Sequence, residues 1–133
     1  MSIPSIYTDV INGLLQKSLS KEVVWDVTSK SNIFVVYFKD SSLVINQHDN
    51  QNDLWISVDI INYNGEKIDG FWIADNEGDD WAIINELFSI ARRSALAIDN
   101  TIHGMLSEIN STKTIGQKKK KEDDKGFTDD IPF

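Results

Sequence analysis

The sequence contains no cysteine, only two prolines and two histidines, and markedly fewer cations than anions. Without cysteine there can be no disulfide, no thiolate metal site and no thiol nucleophile. His48 and His103 stand far apart with no ligand-like spacing, so neither points to a metal or to a catalytic base. No glycine-rich phosphate loop and no nucleophile motif occurs. These absences predict a non-enzymatic protein without cofactor or metal. The opening "MSIPSIYTDVINGLLQKSL" lacks the basic start and continuous apolar run of a secretion signal, and no stretch approaches the length that spans a bilayer. A soluble, cytoplasmic protein is expected.

Charge is unevenly spread. The chain of 133 residues has 21 Asp and Glu against 13 Lys and Arg, a net −8. Residues 1–112 hold 16 acidic and 7 basic side chains, whereas residues 113–133 hold 5 and 6. A body this acidic repels phosphate backbones, which makes direct nucleic-acid binding by the folded part a poor expectation. The run Lys118–Lys121 reads as a solvated linker rather than a nucleic-acid patch. With 41% hydrophobic residues, including four Trp, six Phe and three Tyr, there is material for one packed domain and an appendage.

The pattern along the chain predicts an α+β fold. Ile6, Val10, Leu14 and Leu15 recur at helical spacing and suggest an amphipathic helix over about 5–18, weakened by Gly13. Five segments rich in β-branched and aromatic residues follow: "KEVVWDVT", "NIFVVYFK", "SSLVINQ", "DLWISVDIIN" and "GEKIDGFWIA". Short turn-like connections join them, so an antiparallel meander of four to five strands is expected. Asn64-Gly65 suggests a two-residue type I′ turn between strands at about 54–62 and 66–74. In the fourth strand Leu54, Ile56, Val58 and Ile60 share a core-directed face, and Trp55, Ser57, Asp59 and Ile61 share a partly covered one. Asp75, Glu77, Asp79 and Asp80 then mark the start of a long C-terminal helix. Its apolar stripe runs Trp81, Ile84, Phe88, Ala91, Ala95, Ile98, Ile102, Met105 and Ile109, expected to supply most of the core.

Two further constellations bear on function. Asp75, Glu77, Asp79 and Glu86 have the spacing of a calcium loop, but Asp80 stands where that loop needs glycine, so a helix start is the better reading. Trp25, Trp55, Trp72, Tyr37 and Phe34 could offer a stacking platform for single-stranded bases, although strand aromatics more often belong to a core and the body is acidic. No internal repeat is present, and an exposed sheet face or part of the helix stripe could support a homo-oligomer.

After Asn110 the periodicity stops. The sequence predicts an acidic α+β domain over 1–110, a flexible charged linker over 111–126 and a linear interaction motif over 127–133, the last two forming a disordered C-terminal tail. The chain finishes "FTDDIPF". Phe133 can fill an apolar pocket while its α-carboxylate meets a cation at the pocket mouth. Pro132 restricts itself and Ile131 to extended conformations, reducing the entropy lost on docking. Asp129 and Asp130 suit a basic rim. "DDIPF", preceded by Phe127, resembles the C-terminal tail of bacterial single-stranded DNA-binding proteins. The resemblance covers seven to nine residues. Elsewhere the chain departs from that family, beginning with a helix instead of the strands of an OB-fold and lacking a basic binding face.

The resemblance implies that Phe127, Asp129, Asp130, Ile131, Pro132 and Phe133 bind tail-binding enzymes of DNA replication, repair or recombination, such as helicases, exonucleases or replisome components. The protein would then be a bacterial or phage adaptor that recruits such enzymes or competes for them. Two alternatives stand beside it: an acidic DNA mimic, inhibitor or immunity-type protein acting through its folded domain, and a divergent single-stranded DNA-binding protein.

Overall fold

A computed structural model describes residues 2–116. Most of the expected linker and the whole peptide Phe127–Phe133 lie outside the described residues. Helix α1 spans Ser5–Leu19 and is followed by strands β1 (Asp26–Val27), β2 (Ile33–Tyr37), β3 (Ser41–Asn50), β4 (Asp53–Asn62) and β5 (Lys67–Ala74). Helices α2 (Gly78–Ala95) and α3 (Ile98–Ile109) complete the chain. The five strands form one antiparallel sheet in sequence order, the meander that short connections dictate.

One face of the sheet carries Phe34, Val36, Leu43, Ile45, Ile56, Val58, Phe71 and Ile73, all buried. Helix α2 lays Ile84, Leu87, Phe88 and Ala91 on this face, with the Phe88 ring 5.6 Å from that of Phe34. Helix α1 packs beside α2 and adds Tyr7, Ile11, Leu14 and Leu15 to the same core. This stripe corrects the sequence reading. Leu14 and Leu15 are buried, but Ile6 is 79% exposed and Val10 42%. Tyr7 and Ile11 take their place because polar partners turn the helix. The Tyr7 hydroxyl donates to Asp69 on β5 at 2.5 Å, and Ser18, one turn beyond Leu14, accepts from the buried indole N–H of Trp25 at 3.0 Å. A buried donor left unpaired is costly, so these bonds fix the rotation of α1.

The β4–β5 hairpin forms as expected, but its turn differs. Only Gly65 has positive φ, at 85°. Gly65 N–H donates to the Asn62 carbonyl, and the Asn62 side chain accepts from the N–H groups of Asn64 and Glu66. An Asn side chain that closes its own turn makes a second left-handed residue unnecessary. A bulge follows at Ile60/Ile61: Ile61 pairs with Lys67, whereas Ile60 pairs with Asp69, leaving Ile68 as the extra residue. Beyond it the strands approach so closely that a Cβ on Gly70 would sit 2.6 Å from Asp59 Oδ1.

The long C-terminal helix is two helices. Leu96 N–H donates to Arg92 and Ala97 N–H to Ser94, closing α2, and Ala97 adopts a left-handed φ of 52°. Asp99 pairs with Arg93 of α2 and with Lys21 in the loop after α1, bonds that an uninterrupted helix would have to rearrange. The described chain divides here into two compact units, one ending at Asn100 and the other beginning at Thr101. The stripe divides with it: Ile84, Phe88 and Ala91 are buried, whereas Ile102, Met105 and Ile109 are exposed.

Candidate functional site

The second face of the sheet looks away from α1 and α2. Register places Ile33, Val35 and Tyr37 of β2, Ser42, Val44, Asn46 and His48 of β3, and Trp55, Ser57, Asp59 and Ile61 of β4 on it together. The expected division of β4 into a core face and a partly covered face holds: Ile56 and Val58 are fully buried, and the four opposing residues are half-buried. The bulge at Ile60/Ile61 adds Trp72 and Ala74 of β5 to this open face, opposite Ser57 and Trp55.

His48 lies here, paired with Trp55 in the ladder, and not in the polar turn that its neighbours "HDNQND" suggest. The strands run on to Asn50 and Asp53, leaving a two-residue turn in which Gln51 takes φ 50°. The rings of His48 and Trp55 stack at 4.9 Å with 6° between their planes, and His48 Nε2 shares a 3.0 Å hydrogen bond with Ser57. One face of the Trp55 indole is thereby occupied and its rotamer held. On the β5 side of the same ring is a groove of about 490 Å³, whose lining includes Trp55, Trp72, Ala74, Asp53 and Asp75. Trp72 is 45% exposed.

The five aromatic residues considered for base stacking separate. Trp25 and Phe34 are buried in the core, whereas Trp55, Trp72 and Tyr37 reach the open face. Tyr37 lines a second groove of about 500 Å³ at the other end of the sheet, with Tyr63 and Phe38 around it. The acidic residues at the start of α2 serve the helix: Asp79 and Asp80 occupy its first turn, and Asp80 accepts from the Ile3 N–H at 2.9 Å.

Among the described residues, Tyr7 and Asp69 titrate away from their ordinary values. Burial, followed by the neighbouring Asp69, pushes the Tyr7 hydroxyl up to about 12. The hydrogen bond from Tyr7, then the Gly70 N–H and Lys67, hold the Asp69 carboxyl below the usual range. A tyrosine held neutral is a poor base, and this pair anchors α1 to β5.

No protein-family model, no curated protein and no solved structure matches this chain. Among the described residues, no helix is long and apolar enough to cross a membrane. The sequence-expected site residues Phe127, Asp129, Asp130, Ile131, Pro132 and Phe133 all lie outside the described residues. Sequence reasoning grouped Trp55 and Trp72 among the strand aromatics but did not join them to Asp53 and Asp75, because that meeting depends on the bulge.

Proposed function

We propose that this chain is a non-enzymatic, cytoplasmic adaptor whose segment Phe127–Phe133 docks on tail-binding enzymes of DNA replication, repair or recombination, recruiting them or competing for them. The observation that carries this reading is the sequence "FTDDIPF" itself, similar at its acidic pair and its Ile-Pro-Phe end to the tail of bacterial single-stranded DNA-binding proteins. The chemistry supports it. Phe133 supplies an apolar anchor, Pro132 lowers the ordering cost, and Asp129 and Asp130 favour a basic rim. The acidic body, with 16 anionic and 7 cationic side chains over residues 1–112, favours a protein partner over a nucleic-acid one.

The test is a competition assay. A labelled tail peptide of a single-stranded DNA-binding protein is bound to a purified tail-binding exonuclease or helicase, and the full chain is titrated in. Displacement is expected, weakened roughly ten- to a hundredfold by removal of Phe133. One residue added after Phe133 should weaken it similarly, and added salt should weaken it progressively. Equal displacement by the chain lacking Phe133 sinks the proposal.

A further inference from the structure

The groove beside Trp55 has a chemistry of its own, independent of Phe127–Phe133. Trp55 and Trp72 sit diagonally across β4 and β5, since Trp55 pairs with Ala74 and Trp72 with Ser57. The small side chain of Ala74 leaves the space between the two indoles open, and that space is the groove. Trp55 is already stacked on one side by His48, so its remaining face turns to this gap as a fixed wall. At the strand ends stand Asp53 and Asp75, bracketed by the hydrogen bond from Asp75 N–H to the Leu54 carbonyl at 3.0 Å. Neither carboxylate has a hydrogen-bond or ion-pair partner among the described residues. The lining contains two anions and no cation.

From this we infer that the groove binds an arginine side chain presented by a basic segment of another protein. Three properties select this occupant. The indole faces attract a cation, and a planar guanidinium can lie flat against them where an ammonium cannot. The two open carboxylates need donors, and guanidinium offers five N–H groups in a fork that matches a carboxylate, whereas a quaternary ammonium offers none. The charge of residues 1–112 attracts a basic segment over distance and repels a phosphate backbone that would otherwise use the same aromatic faces. The open face thus reads as the docking side of the domain, with Trp55 and Trp72 as the clamp and Asp53 and Asp75 as the acceptors.

The experiment follows the four indole N–H resonances of the full, isotope-labelled chain by NMR during titration with an Arg-Gly-Arg-Gly peptide. Saturable shifts of the Trp55 and Trp72 resonances are expected, with the buried Trp25 unmoved. A Lys-Gly-Lys-Gly peptide should bind several-fold more weakly, since it keeps the charge and loses the stack. Trp72→Ala should weaken the arginine peptide roughly tenfold, the size of a partly desolvated cation–π contact. Ala74→Leu, which fills the gap and leaves every charge in place, should abolish binding while the remaining amide spectrum stays folded. Deleting Phe133 should change nothing, which separates this proposal from that for the tail. The inference is overturned if neither indole saturates with the arginine peptide, if the lysine peptide binds equally well, if Ala74→Leu binds as the wild type does, or if a dodecathymidylate binds the groove more tightly than the peptide.

Discussion

Replacing Tyr7 with Phe removes one hydroxyl and tests how α1 is held. The ring stays packed 4.9 Å from Phe71, so the core is unchanged and only the bond to Asp69 is lost. A hydrogen bond to a charged acceptor contributes about 1.5–3 kcal/mol, and Asp69 is exposed enough to regain water, which places the loss near the lower figure. The pH dependence is more telling. In the unfolded chain Tyr7 ionises near 10.0, and in the fold at about 12. Between those values the unfolded state has released the proton and the folded state has not, so stability falls as pH rises. The fall amounts to roughly 3 kcal/mol at most between pH 10 and pH 12. Tyr7→Phe lacks this loss. Its deficit of about 1.5 kcal/mol at neutral pH should therefore shrink above pH 10 and vanish before pH 12. On the acid side the sign reverses. The Asp69 carboxyl is held low chiefly by the Tyr7 hydroxyl, so its stabilisation is present above the unfolded carboxyl range and disappears as pH falls through the folded value. Tyr7→Phe should blunt that acid loss too. Urea unfolding of both proteins by circular dichroism at one-unit pH intervals measures the difference. A constant difference from pH 8 to pH 12 would refute the bond.

Two further outcomes are expected. Ser18→Ala leaves the buried Trp25 N–H without its acceptor and should lower stability by about 1–3 kcal/mol, read from the urea midpoint, whereas adding Ser18→Ala to a Trp25→Phe background should cost far less. Ala97→Gly relieves a left-handed Ala and should raise stability by about 1 kcal/mol, seen as a rise in melting temperature, while Ala82→Gly, exposed within α2, should lower it by a similar amount.

The element order and the core face of β4 were legible because period-two alternation and short turns determine them locally. The rotation of α1 was not, since Ile6 and Val10 look as apolar as Ile11, and only the distant Asp69 and Trp25 decide between the two stripes. The break at Ala97 was hidden for the same reason. "SALAID" has strong helix formers, and what ends α2 is a left-handed residue supported by the pairing of Asp99 with Arg93 and Lys21. The open-face site was the least legible. A hairpin closed at Asn62–Glu66 without a bulge pairs Trp55 with Ile73 and sends Trp72 into the core. The extra residue at Ile68 inverts that outcome and brings Trp72 beside Trp55. The peptide "FTDDIPF" was legible at once, because a linear motif needs no tertiary context to be read.

Ile68 sets how much change in length this hairpin can absorb. Its side chain is 61% exposed, so many replacements should pass unnoticed. Its loss should be absorbed as well. Without it Lys67 stays opposite Ile61 and Asp69 opposite Ile60 in unbroken alternation, so Phe71 and Ile73 keep the core face and Trp72 the open one. The bulge is thus one residue of slack, and its removal should cost local twist while the faces of β5 stay as they are.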